Sequence, residues 1–170
     1  MIAAYLTGNR VVSSSQDAFS LYEKSRWGEK KQNRIEYSLI EALVLIESGR
    51  IKVNSGKKEI SPAVLEKKAK RFDKRIETKL RVFADLRKRG YIVKTALKFG
   101  AEFRVYDKGA HPGKDHAPWL LFPFKESETV NWYDFAAKNR VATSTKKKIL
   151  LAIVDDEDDI TYYEVAWFRP

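Results

Sequence analysis

The stretch KFGAEFRVYDKGAHPGKDHAPWLLF, residues 98–122, constrains the fold more than any other. Phe99, Ala101, Phe103 and Val105 fall on one side of a period-2 pattern, with Lys98, Glu102, Arg104 and Tyr106 mostly on the other. That alternation is the mark of a half-buried strand. Residues 107–115 follow with two Gly and one Pro, which marks a loop. A second apolar run covers residues 119–122. The expected unit is strand, loop, strand, with Tyr106 closing the first strand and His116 opening the second. Both histidines of the chain, His111 and His116, fall inside it beside an ionisable Tyr.

Charge narrows the partner. The formal net charge is +10, which favours a polyanion, most often nucleic acid, over a merely solvated basic surface. A chain of 170 residues, 44% hydrophobic and 12% aromatic, can bury the core of one large domain or two small ones. No run of apolar residues is long enough to span a bilayer. The start, MIAAYLTGNR, lacks the pattern of a signal peptide, so a cytoplasmic location is expected. With no Cys there is no disulfide and no cysteine-ligated zinc. One Met, no Cys and 33% charged residues fit a thermophile.

In chain order, residues 2–12 read as a hairpin around Thr7-Gly8-Asn9-Arg10. One of Ser13, Ser14 and Ser15 is expected to cap a short helix, and Trp27-Gly28-Glu29 to form a loop. Residues 34–48 show a helical spacing of Ile35, Leu39, Leu43 and Ile46, stopped by Gly49. A short strand over 51–53 and a turn over 54–56 lead to Ser61-Pro62, which opens a helix with Leu65 and Phe72 facing inward. A basic helical region runs on to Gly90, with Ile76, Leu80, Phe83 and Leu86 as its apolar stripe. Its lysines and arginines read equally well as a solvated face or as an RNA contact. The domain break is expected near 70–76, giving an N-terminal α/β domain over 1–74 and a second domain over 75–170. A helix over 131–143, a buried strand over 147–154, an acidic turn over 155–159 and a last strand over 160–168 complete the second domain. The fold class is α+β: a small N-terminal α/β domain, then a mixed-sheet domain flanked by helices.

Metal chemistry finds little to use. Two His and no Cys suit zinc poorly, and the acidic run lacks the glycine and distant Glu of a calcium loop. A metal-dependent nuclease drawing on Glu102, Asp107 and Asp115 stays open, though no spacing demands it. There is no phosphate-cradling GxxxxGK[ST] motif. RNA cleavage without metal needs less. The RNA brings its own 2′-OH as nucleophile. The protein needs a base for that proton, an acid for the leaving 5′-oxygen and a cation for the crowded phosphorane. A Tyr, a His and a Lys suffice. Each alone has a plainer explanation: packing for the Tyr, solvent for the His and surface for the Lys.

A resemblance goes further. KFGAEFRVYDKG, HAPWLLF and NRVATSTKKKILLAIVDDEDDITYYEVAWF resemble the catalytic domain of the archaeal tRNA-splicing endonucleases. YLTGNRVV and IEYSLIEALVLIESGRIKV resemble that family's N-terminal domain. The resemblance implies a restriction-endonuclease-like catalytic domain. It implies Tyr106 as general base, His116 rather than His111 as general acid, and Lys147 as the transition-state cation. Lys147 lies seven residues after Arg140, and its neighbours Lys146 and Lys148 leave the register open by one. A free phenol has a pKa of about 10, so a tyrosine base needs nearby positive charge. The resemblance also implies that Arg140 holds an extruded base, with Trp167 the candidate for its other face against a packing role. It implies that Asp155, Asp156, Glu157, Asp158 and Asp159 dock into a partner subunit, and that the last strand pairs across a dimer. The expected assembly is a homotetramer, with a heteromeric one left open. The expected substrate is precursor tRNA folded as a bulge–helix–bulge, cut to a 2′,3′-cyclic phosphate and a 5′-OH, with no cofactor, metal or membrane. The alternatives are a non-catalytic RNA-binding or structural subunit and a metal-dependent restriction-like nuclease.

Overall fold

The computed structural model describes residues 1–96, 100–168 and 170. The strand positions expected at Lys98 and Phe99 lie outside them. The chain divides into two compact units, Met1–Leu80 and Arg81–Pro170.

The first unit opens with the hairpin β1 (Ile2–Thr7) and β2 (Arg10–Ser13), closed by the pair Thr7 and Arg10. Gly8 takes φ +61°, the left-handed conformation that such a two-residue turn asks of its first residue. Ser15 caps α1 (Gln16–Ser25), its hydroxyl accepting from the Ala18 amide. Then follow β3 (Glu29–Lys31), β4 (Arg34–Ser38), α2 (Leu39–Glu47), β5 (Ile51–Ser55), β6 (Lys58–Glu59) and α3 (Pro62–Phe72). The sheet order is β3-β4-β2-β1-β5-β6, with β1 and β5 parallel at its centre.

Residues 34–48 are therefore not one helix. Ile35 and Tyr37 are fully buried and alternate with outward Arg34 and Glu36, so period 2 governs residues 34–38. Ser38 then starts α2 through a capping box with Glu41. Glu41 is itself buried, and its carboxylate accepts from the Ser38 amide and hydroxyl and from the Gly28 amide, at 2.9–3.0 Å. Gly49, at φ +66°, ends α2 as expected. Asn54 and Ser55 belong to β5 rather than to the turn, and Glu29 to β3 rather than to the loop. Ser61 and Pro62 open α3. Leu65 and Ala69 form its buried face, whereas Phe72 is 64% exposed. Phe72 is the last helical residue, and Asp73 turns extended directly after it. Asp73 also breaks the basic helical region. Its carboxylate accepts from the Arg75 amide and from Lys79 Nζ, and α4 (Ile76–Lys88) begins afresh.

The division between units falls within α4. The second unit continues with β7 (Ile92–Thr95), β8 (Phe103–Tyr106), β9 (Trp119–Lys125), α5 (Trp132–Ser144), β10 (Lys148–Val154) and β11 (Ile160–Val165). The sheet order is β11-β10-β9-β8-β7, antiparallel except for β9 and β10. A parallel pair needs a long crossover, and α5 supplies it. Leu120, Phe122 and Ile149 on one face pack with Ala142 of α5. On the other face Phe103 meets Phe83 of α4, ring centroids 5.5 Å apart, and the Tyr162 hydroxyl donates to Asp85 at 2.7 Å. A mixed sheet with a helix on each face is the α+β architecture expected.

Two strand ends differ from expectation. β10 begins at Lys148, which leaves Lys147 in the connection, and only Ile149, Ala152 and Val154 of it are fully buried. β11 ends at Val165, paired to Ile149, near the start of β10. Residues 166–168 have no strand left to pair with, so Trp167 lies beyond the sheet.

Candidate active site

Two of the expected residues, Tyr106 and Lys147, meet at Ala117, and His116 precedes it in the chain. Tyr106 ends β8 and is only 3% exposed. It packs with Ile92 and Ala117 in a small buried cluster, against which Ala110 folds back. His116 is the exposed neighbour of Ala117 and precedes β9 rather than opening it. Lys147 reaches the same place from α5, its Nζ donating to the Ala117 carbonyl at 2.8 Å.

Local structure explains which lysine arrives. Thr145 is the C-cap of α5, and Lys146 turns left-handed at φ +56°. The Lys146 amide donates to the Thr143 carbonyl at 3.0 Å and the Lys147 amide to the Ala142 carbonyl at 2.8 Å. These paired bonds form a Schellman cap, which satisfies two carbonyls a helix end leaves open. The Lys148 amide then donates to the Pro118 carbonyl and starts β10. Lys148 Nζ pairs with Glu164 at 2.7 Å, and Glu164 also accepts from the Trp119 indole at 2.7 Å. Lys146 makes the turn and Lys148 serves the sheet; Lys147 is directed at Ala117.

The two histidines separate in the same way. The His111 amide donates to Asp115 Oδ2 at 2.6 Å, and the His111 carbonyl accepts from the Lys114 and Asp115 amides. His111 thus braces its own loop. The pKa of Lys147 lies below the ordinary value, first because burial disfavours its charge and second because Arg104 is near. Arg104 is a charged neighbour of Lys147 and Tyr106 that sequence reasoning missed. It stands two residues before Tyr106 on the same strand, its guanidinium carbon 5.9 Å from the Tyr106 ring centroid.

The remaining expected residues lie apart. Arg140 is exposed on α5 and Trp167 is 58% exposed beyond β11, with no ring or charge contact joining them. In the acidic turn, the Asp155 carboxylate accepts from the Glu157 and Asp159 amides at 2.9 Å. Asp158 adopts φ +67° and pairs with Arg81. Asp156, Glu157 and Asp159 are exposed. Among the described residues, no three His, Asp or Glu side chains gather as a metal site needs. No described helix is long and apolar enough to cross a membrane.

A buried phenol and an ammonium that meet at one residue, with an imidazole next to it in the chain, make a class of site whose groups can take up and give protons. Comparison with known families gives the class its name. Residues 76–162 match the model of the tRNA intron endonuclease catalytic C-terminal domain, and residues 2–65 that of its N-terminal domain. Similar proteins include the tRNA-splicing endonuclease of Pyrococcus abyssi, 42% identical over 99% of this chain and 98% of that one. Another is that of Methanothermobacter thermautotrophicus, 42% identical over 96% of each chain. That of Nanoarchaeum equitans is 43% identical over 79% of this chain and 90% of its own. The chain belongs to the tRNA intron endonuclease family.

Proposed function

We propose that this enzyme cleaves precursor tRNA at bulge–helix–bulge intron boundaries, without metal, by attack of the RNA's own 2′-OH. Tyr106 takes the 2′-OH proton. The 2′-oxygen bonds to phosphorus as the bond from phosphorus to the 5′-oxygen breaks. His116 gives its proton to that departing oxygen, and Lys147 offsets the charge on the phosphorane. The ends are a 2′,3′-cyclic phosphate and a 5′-OH. The observation that carries this reading is the meeting of Tyr106 and Lys147 at Ala117, the residue that follows His116. Residues far apart in sequence that meet at one point supply the proximity that general acid–base catalysis requires.

Arg140 and Trp167 grip an extruded base from two sides. Their exposure and lack of mutual contact leave room for one. Such stacking is worth about 1–3 kcal/mol per base and tolerates any base, which suits recognition by shape. The acidic turn docks on a second copy, and the working assembly is a homotetramer. Residues 75–170 form the catalytic domain and residues 1–74 its N-terminal companion.

The test is incubation with a bulge–helix–bulge RNA in excess chelator, with analysis of the ends. Cleavage to cyclic phosphate is the expected outcome. Tyr106→Phe and His116→Ala each lower the single-turnover rate by about 10²–10⁴. Chelator-sensitive cutting points instead to a metal nuclease. Binding without cutting points to a non-catalytic subunit.

A further inference from the structure

The first unit carries a basic face that the chemistry at Ala117 does not use. Leu65 and Ala69 are the buried residues of α3. At about 3.6 residues to the turn, Lys67 and Arg71 stand one above the other on the side away from them. Val64, Lys68 and Phe72 form the adjoining row. Lys67 and Arg71 are exposed, as is Lys74 just past the helix, and Lys68 is half-buried. Val64 and Phe72 are exposed as well, so the row pairs apolar surface with charge.

The acids of this region serve other cations. Glu66 and Glu77 pair with Lys70 at 3.1 and 2.6 Å, and Asp73 with Lys79 at 2.5 Å. Among the described residues, the side chains of Lys67, Lys68, Arg71 and Lys74 find no hydrogen bond or ion pair, and the Phe72 ring meets no other ring. Like charges one turn apart, as at Lys67 and Arg71, destabilise a helix, and an anion lying over them offsets this. The helix dipole favours Arg71 in the last turn but fades before Lys67 and Lys68. Four unneutralised cations beside an exposed aromatic ring match both parts of a nucleic-acid strand, its phosphates and its base faces. An acidic protein segment matches the cations alone.

We propose that the outer face of α3 is a further RNA contact of this enzyme: Lys67, Lys68, Arg71 and Lys74 hold the phosphate backbone of the precursor, and Phe72 stacks on an unpaired base. This rests on the RNA substrate proposed above, not on the roles given to Tyr106, His116 and Lys147. The basic helical region thereby divides by pairing. Lys70 and Lys79 are held by acids of this chain and shape the fold, while the four cations left over are spent on the substrate. Phosphate contacts of this kind carry affinity rather than sequence choice, because each cation that meets the backbone releases counterions whatever the base.

The test is equilibrium binding of a full-length bulge–helix–bulge precursor RNA, in chelator, over a range of salt concentrations. A deoxyribose at each scissile position removes the attacking hydroxyl, so binding is read without cleavage. The neutral set Lys67→Gln, Lys68→Gln, Arg71→Gln and Lys74→Gln is expected to bind more weakly at low salt. Its plot of log affinity against log salt becomes shallower by about 3. The charge-keeping set Lys67→Arg, Lys68→Arg, Arg71→Lys and Lys74→Arg keeps both affinity and slope. Phe72→Ala binds roughly tenfold more weakly with the slope unmoved; normal binding by it removes the stacked base. A neutral set with the original affinity and slope overturns the proposal. So does a neutral set whose sedimentation changes, which gives the face to a second copy of the chain. Melting curves report folding, and Lys67→Gln with Arg71→Gln replaces the full set if it unfolds, with about half the change in slope. Failure of the unaltered enzyme to bind this RNA removes the substrate itself; tight binding with an unmoved neutral set removes only the α3 face.

Discussion

Lys146, Lys147 and Lys148 are chemically identical and do three different jobs. A left-handed turn, a donated hydrogen bond and an ion pair separate them, and none of the three is visible in a run of identical letters. Resemblance selects Lys147; the helix cap explains why its neighbours are excluded. The places of Tyr106 and His116 were legible, at the end of an alternating run and after a Gly-rich loop, while the roles proposed for them came from the resemblance. Arg104 was not, because an Arg on the outward side of such a run looks like any solvated strand residue. The left-handed Lys146 is strained, since its Cβ crowds the backbone there. Lys146→Gly relieves that crowding and is expected to stabilise the fold by about 1 kcal/mol. This is a rise in Tm of about 2–4 °C for a chain of this size, with cleavage retained. A lower Tm would show that the cap is not the one described.

Elements were read best where a single residue type dictates the backbone. Ser15, the pair Ser61-Pro62, Gly8 and Gly49 all act where expected. Residues 34–48 were misread because Ile35, Leu39, Leu43 and Ile46 happen to keep helical spacing across a strand and a helix. The decisive signal was Ser38 three residues before Glu41, the pattern that starts a helix rather than continues one. Phe72, expected to face inward, fails for a related reason. Periodicity says which way a side chain points, not whether another element lies opposite. Ser38→Ala removes the hydroxyl that accepts from the Glu41 amide and donates to its buried carboxylate. A loss of about 1–2 kcal/mol is expected, at the upper end of cap substitutions. A lowered urea midpoint measures it. An unchanged midpoint would mean that α2 is held without its cap.

For the whole molecule, charge was the most useful global clue and the acidic turn its exception. Five consecutive acids stand out in a chain of net charge +10. Asp155 closes the turn and Asp158 pairs with Arg81, while Asp156, Glu157 and Asp159 are exposed. The assembly proposed above is therefore tested with Asp156→Asn, Glu157→Gln and Asp159→Asn together, sparing the two acids that shape the turn. Sedimentation is expected to shift from tetramer to dimer. A tetramer that survives the triple change would take the turn out of the interface.

The Schellman cap bears on how the length of such a chain can change over generations. The Lys147 amide is tied to Ala142 and the Lys148 amide to Pro118, so no slack separates α5 from β10. An insertion or deletion between Ala142 and Lys148 would swing the ammonium away from Ala117. The loop over residues 107–115 is braced within itself by His111 and Asp115. It can grow or shrink at its tip while Tyr106 and His116 stay where they are. Indels that preserve cleavage should accumulate in that loop and be purged from the link after α5.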